Sequence, residues 1–316
     1  MTRPFRFGVQ VATLPPDGWR ERVRRIEELG YSTLFFPDHF STQWDPIAGP
    51  AAAAAASERL CVGSLVYDVD YRHPVVLAKA AATIQLLSGG RCEFGIGAGW
   101  METDYREAGL DYDPIGARIE RLDEALQIIR SMWEHERTSF EGRHYRVREI
   151  AQAAELAAGG APKILVGGGG RRVLSLAGRL ADIVGINPAL PEGRVTAATP
   201  GDLAPARVRQ KVEWVRQAAS GAGRDPESIE LSSLVFVVAI GDDPSGIRKA
   251  LAAQSGMSEA EVADCPLFLT GSASEIRDRL SKRREETGIS YVVIQGAQQE
   301  TVEQFAAEIV APLAGR

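Results

Sequence analysis

Two stretches of this chain combine a β-prone run with clustered glycines. One is Arg91-Cys92-Glu93-Phe94-Gly95-Ile96-Gly97-Ala98-Gly99-Trp100; the other is Lys163-Ile164-Leu165-Val166, then Gly167, Gly168, Gly169 and Gly170, then Arg171-Arg172. Glycine at a strand end lets the backbone turn tightly and approach a ligand, with amide N–H groups free to meet an anion. One such end is a weak signal. Two on one chain point to neighbouring walls of a site for a phosphate-bearing cofactor.

The other strand ends add side chains. Pro37-Asp38-His39-Phe40 follows one apolar run, with Trp44 close by, and another passes through Gly63-Ser64-Leu65-Val66-Tyr67-Asp68 towards Tyr71-Arg72-His73. Aromatic faces, one histidine, glycine amides and arginines suit a flat polar heterocycle carrying a phosphate. Each element also has a plainer reading. An Asp-His pair caps loops, tryptophans plug barrel mouths, and a glycine run is a tight turn, although four in a row cost chain entropy. Ser272 with Glu275 reads as a helix capping box. Arg118 and Arg121 read as surface or interhelix salt-bridge groups. Four histidines without HxxxH or HExxH spacing give no transition-metal site.

Positioning these groups requires a repeating framework. Short β-branched runs alternate with helical patterns along the chain: strands over 5–11, 33–36, 60–67, 92–96, 164–166, 182–186, 229–240 and 291–294, each followed by a helix. The helix over 115–133 carries apolar residues at 115, 119, 122, 126, 129 and 133. Residues 138–147 break the rhythm as a hairpin turning at Glu141-Gly142. Residues 188–205, rich in Pro, Ala and Gly, read as a long functional or mobile loop at the mouth. Eight βα units predict one (β/α)₈ TIM barrel over residues 1–316, with its site at the strand C-terminal ends. A doubly wound sheet is the alternative, but the first βα junction lacks the GxGxxG fingerprint.

Composition fits this reading. The chain has 316 residues, 45% hydrophobic and 25% charged, with a formal charge of -6. That charge argues against nucleic acid, and no basic run suggests a membrane surface. No signal segment is legible at the N-terminus, and Cys61, Cys92 and Cys265 form no CxxC, so the expected location is the reducing cytoplasm.

Taken in order, Leu34–Phe40, Val62–Leu65 with His73-Pro74, Arg91–Gly99, Phe140-Glu141-Gly142 with Tyr145, Ile164–Gly169, Ala181-Asp182 and Gly271–Leu280 with Gly288 resemble the bacterial luciferase-like oxidoreductases. The likeness is strongest to the branch that uses the deazaflavin coenzyme F420, and it covers nearly the whole chain. The resemblance implies a luciferase-like barrel with the coenzyme over its strand ends. It places a strand-three bulge, often with a non-prolyl cis peptide, at Ser64-Leu65, against the middle of the ring. It assigns Gly97, Ala98, Gly99 and Gly167 to Gly170 to the phosphate and ribityl-type chain, and Asp38 to the same cofactor site. We add Arg171 as an ion-pair partner for the phosphate, and read Arg171, Arg172 and Arg179 as a basic groove for an acidic tail.

His39 matches a histidine beside ring and substrate that transfers a proton or polarises the substrate. Trp44, Tyr67 and Trp100 are expected in the substrate pocket. The sugar-phosphate dehydrogenases of the family carry a glutamate where this chain has Trp100, so a hydrophobic substrate with a conjugated C=C or C=N bond is expected instead. Glu102, Asp104 and Tyr67 are the candidates for its missing acid. The expected activity is F420-dependent hydride transfer to or from a small organic molecule, by a homodimer. The alternatives are an FMN-dependent monooxygenase of the same fold and a non-catalytic flavin- or deazaflavin-binding protein.

Overall fold

The alternating apolar runs build eight parallel strands closed into a barrel in the computed structural model, which describes residues 3–151, 159–191, 193–241, 243–296 and 298–316. In chain order the barrel strands are β1 (Arg6–Gln10), β2 (Thr33–Phe36), β3 (Cys61–Asp68) and β4 (Cys92–Gly97). A hairpin of β5 (Arg137–Glu141) and β6 (Arg146–Ala151) intervenes. The barrel resumes with β7 (Lys163–Gly168), β8 (Ile183–Ile186) and β9 (Glu230–Val235). After β10 (Val237–Ile240) and β11 (Phe268–Gly271), β12 (Ile289–Gln295) pairs with β1 and closes the ring.

The expected strand over 229–240 is two strands. At Phe236 the backbone amide turns to the Leu267 carbonyl at 2.9 Å, and β10 leaves the barrel to pair with β11. Sequence alternation does not mark that change of partner, and it passed over β11 altogether. The hairpin and the capping box at Ser272 and Glu275 are where the sequence placed them.

Alternation along each strand sorts the core. On β1, β2 and β12, Phe7, Val9, Leu34, Phe36, Val292 and Ile294 join the apolar layer beneath the helices, whereas Phe35, Tyr291 and Val293 pack with Leu165 and Ile183 inside the barrel. The interior is a filled core, as close packing of a small barrel requires. Arg6 closes its lower end: its guanidinium donates to Glu230 and Glu93 and lies 3.5 Å from the centre of the Tyr291 ring.

The helices that bear on the site are α1 (Trp19–Glu28), α2 (Ala48–Ala56), α3 (Pro74–Leu87), α4 (Glu102–Ala108), α5 (Ile115–Glu134) and α6 (Arg171–Leu180). On α5 the sequence pattern misplaces two residues. Ile115 is 51% exposed, while Arg118, expected as a surface or interhelix salt-bridge group, is 3% exposed and donates to backbone carbonyls instead. Arg118 lies on the buried stripe it shares with Leu122, Ala125 and Ile129.

Candidate active site at the barrel mouth

Where β3 meets β4 the pairing register shifts between Ser64 and Tyr67, forming a bulge. The cis peptide lies between Leu65 and Val66, one step beyond the expected Ser64-Leu65 position. Leu65 and Val66 both turn to the barrel interior, and the Gln10 side-chain amide donates to the Leu65 carbonyl. The bulge requires its glycines. A methyl group on Gly95 would lie 2.1 Å from the Ser64 carbonyl oxygen, and one on Gly63 1.9 Å from that of Glu93.

The extra residue of the bulge also reverses the alternation beyond it. Tyr67 joins the outer core instead of the mouth, packs its ring 5.3 Å from Phe94 and donates its hydroxyl to the Pro46 carbonyl at 2.8 Å. The pocket role expected for Tyr67 is therefore taken from it by packing, and so is its candidacy as a proton donor. Ser64 is fully buried, and its hydroxyl has no hydrogen-bond partner among the described residues.

His39 stands three residues beyond a strand-end phenylalanine, Phe36, and is brought together with Trp100, whose ring meets it edge-on at 5.6 Å. Its Nδ1 lies 2.6 Å from Oδ2 of Asp104, a residue 3% exposed on α4. The Tyr71 hydroxyl donates to the same oxygen at 3.3 Å. Burial, with Asp68 and Asp104 nearby, raises the Tyr71 pKa, so that hydroxyl keeps its proton. Trp44 stacks on Phe36 at 6.4 Å and is partly buried.

Asp38 is occupied by the protein. Its Oδ2 accepts from the Asp68 amide at 3.0 Å and from Arg72 at 2.6 Å, and burial raises its pKa despite the arginine. Through Oδ2 its carboxylate ties the end of β2 to β3 and Arg72.

Behind Gly99 lies a network the sequence did not reveal. The Tyr105 hydroxyl donates to Asp68 and Asp70 at 2.9 Å, and Arg121 donates to Asp70 and Asp113. Burial and the neighbouring Asp70 charge push the Asp68 carboxyl up to about 7. Arg118 donates to the carbonyls of Ala98, Gly99 and Asp113 and to the Tyr112 hydroxyl. The β4–α4 turn thus has two of its carbonyls satisfied from α5.

The β7 end is built differently. A methyl on Gly168 would lie 1.7 Å from a Val173 methyl carbon, and one on Gly169 2.2 Å from the Pro188 carbonyl carbon, so packing explains both glycines. Around Gly170 nothing lies within 4 Å of the methyl position, and its φ of -84° is open to any residue. Gly170 caps α6 without a side-chain hydrogen bond, leaving first-turn amides for an anion. Arg171 beside it is exposed and makes no ion pair among the described residues.

The expected basic groove is instead of mixed charge. A cavity of about 350 Å³ between α5 and α6 is lined by Arg171, Arg172 and Arg179 but also by Glu120 and Asp123. Arg172 lies 3.8 Å from Glu120 and Arg179 lies 3.2 Å from Asp123.

The long stretch after β8 is anchored. Asp202 accepts from the Ala189 amide and pairs with Lys211, which is fully buried and also donates to the Asn187 carbonyl at 2.8 Å. At the other side, the Glu102 amide donates to the Gly193 carbonyl, so this segment reaches the β4–α4 turn.

The family model described as luciferase-like monooxygenase matches residues 2–311. The chain belongs to that family. The F420-dependent glucose-6-phosphate dehydrogenase of Microbacterium testaceum is 31% identical over 193 residues, 58% of this chain and 56% of that protein. The phthiodiolone/phenolphthiodiolone dimycocerosates ketoreductase of Mycobacterium kansasii is 36% identical over 200 residues, 61% of this chain and 48% of that protein. The luciferase-like chain thus spans about half the length of these relatives. Among solved structures, the coenzyme F420-dependent tetrahydromethanopterin reductase of Methanopyrus kandleri shares the fold with a TM-score of 0.78 at 17% identity, over 98% of this chain and 99% of that one.

Proposed function

We propose that this luciferase-like protein is a coenzyme F420-dependent oxidoreductase that transfers a hydride between the deazaflavin and a small apolar organic molecule. Gly170 carries the reading: packing does not require it, since no atom lies within 4 Å of its methyl position, and it stands at an uncapped helix start beside Arg171. That is the cradle a phosphate-bearing coenzyme requires. Relatives named for F420 support the choice of coenzyme. Bound there, the coenzyme supplies the two-electron hydride chemistry.

The chain's own residues do the rest. The α6 amides and Arg171 hold the phosphate, while Leu65 and Val66, steadied by Gln10, form the floor. Trp44 and Trp100 exclude water, and His39 holds the proton that accompanies the electrons. Arg72, Arg118, Arg121 and Lys211 are each bound to protein acceptors, which leaves none of the four to bind a charged substrate. Trp100 beside His39 likewise favours an apolar partner.

Titration of the purified protein with oxidised F420, and separately with FMN, tests the proposal through fluorescence. Micromolar or tighter binding of F420 alone supports it. A preference for FMN moves the assignment to an FMN-dependent monooxygenase, the second reading, which the family description itself favours. Assembly as a homodimer and a cytoplasmic location belong to the same proposal. Three free cysteines support the reducing compartment, and among the described residues no helix is long and apolar enough to cross a membrane.

A further inference from the structure

We propose that Asp104 is a positioning residue that fixes the ring and tautomer of His39, so that Nε2 is the nitrogen presented to the substrate. The inference rests on the placement of His39 in the reaction described above. Asp104 itself was a candidate proton donor from sequence, and the geometry gives it a different task.

A carboxylate is an acceptor, so the 2.6 Å contact with Asp104 Oδ2 requires the His39 proton at Nδ1. Nε2 has no hydrogen-bond partner among the described residues, and it is the remaining nitrogen of the ring. Three further contacts make the arrangement specific. The Tyr71 hydroxyl donates to the same Asp104 oxygen and orients the carboxylate. The Tyr71 ring packs 4.3 Å from Phe40, next to His39 in sequence, and Trp100 closes on the imidazole edge. Asp104 is 3% exposed, so water does not compete for the contact.

An aspartate behind a histidine in this way keeps the imidazole in one tautomer and stabilises the imidazolium formed when Nε2 takes up a proton. In the oxidising direction Nε2 would take up the substrate's O–H or N–H proton, with bound F420 supplying the acceptor for the hydride that leaves the substrate carbon, and in the reducing direction Nε2 would return that proton. Asp104 neither gives nor receives a proton in either direction.

The test reads the histidine directly. The full chain is labelled with ¹⁵N-histidine, and the His39 signals are assigned by their loss in His39→Asn among the four histidines. At neutral pH the neutral His39 ring is expected to carry its proton on Nδ1. In Asp104→Ala that signal is lost in favour of the Nε2–H form, and Asp104→Glu restores the Nδ1–H form. Asp104→Asn, nearly identical in shape, offers an amide donor that also permits the Nε2–H form, and it stands in if the alanine variant does not fold. A wild-type ring protonated on Nε2, or variant spectra unchanged from wild type, overturns the proposal. The wild type and the Asp104 variants are titrated with oxidised F420, and affinities within threefold of wild type are expected. If no protein binds F420, the coenzyme reading fails while the tautomer result stands.

Discussion

The ends of β4 and β7 carry the same sequence signal and obey different physics. At β4 every glycine answers to the protein. Gly97 would place a methyl 2.9 Å from Val66, and Gly99 has a φ of +69° with its methyl position 2.0 Å from the Tyr105 hydroxyl and 2.3 Å from Asp68. Arg118 then satisfies the turn carbonyls from behind. At β7 the need for glycine stops at Gly169, and Gly170 with Arg171 is left open. A glycine cluster therefore marks a close approach without saying whether the approaching atoms belong to the fold or to a ligand. Only the added-methyl geometry separates the two.

The largest test of this contrast is Gly99→Val. A branched side chain must adopt a left-handed backbone and displace buried Tyr105 or Asp68, so a loss of about 3 kcal/mol or more is expected in urea unfolding. A loss below about 1 kcal/mol would show the β4 end to be as open as the β7 end. Arg118→Met comes next. It strands the buried carbonyl of Ala98 and the half-buried ones of Gly99 and Asp113, and about 2–3 kcal/mol should be lost. The paired variant Arg171→Met should change stability by less than about 0.5 kcal/mol and weaken F420 binding about tenfold, ~1.4 kcal/mol. Equal effects on stability at the two arginines would erase the distinction.

These residues also show what could be read from the sequence. The barrel was legible because strand and helix periods differ and each is repeated eight times around one closed ring. His39 and Trp100, which the structure brings together, were legible because strand ends converge in that fold. Tyr67 was misassigned although the resemblance placed a bulge at Ser64-Leu65, because one bulge residue turns every later side chain to the opposite face and that reversal was not carried forward to Tyr67. Arg118 was missed because charge overrode position: it sits three residues after Ile115 and four before Leu122, on the stripe that proved buried. The Asp68–Asp70–Tyr105 network joins β3 to α4 through contacts 35 and 37 residues apart in the chain, beyond any pattern of spacing.

A smaller effect sharpens the open side. The Cβ that Gly170→Val adds has no atom within 4 Å and needs no unusual backbone, so the melting temperature should stay within about 1 °C of wild type, corresponding to less than about 0.7 kcal/mol. Affinity for F420 should fall about tenfold or more, because the side chain occupies the approach to the α6 amides. A variant that binds F420 as wild type does would place the phosphate elsewhere. One that unfolds would return Gly170 to the glycines the fold requires.

The closed side has its own signature in pH. Asp68 holds its proton in the fold up to about 7, chiefly through burial, whereas in the unfolded chain it ionises near 3.9. Below about 4 both states are protonated and the contribution to stability is complete. As pH rises towards 7 the unfolded chain releases the proton freely while the folded chain retains it, so stability falls, by a slope approaching ~1.4 kcal/mol per unit. Above that window the contribution is gone and the loss levels off. Asp68→Asn keeps an oxygen for the Asp70 amide, which Asp68 Oδ1 accepts at 2.9 Å, and has no proton to lose. Asp38, raised in the same direction, keeps its burial and its Arg72 partner in the variant, so the difference between the two stability curves reports Asp68 together with its coupling to Asp38. Wild-type stability should fall relative to Asp68→Asn between pH 4 and 7. Parallel curves would mean that the carboxyl behind Gly99 ionises as it does in water and that the β4 end is wetter than its packing implies.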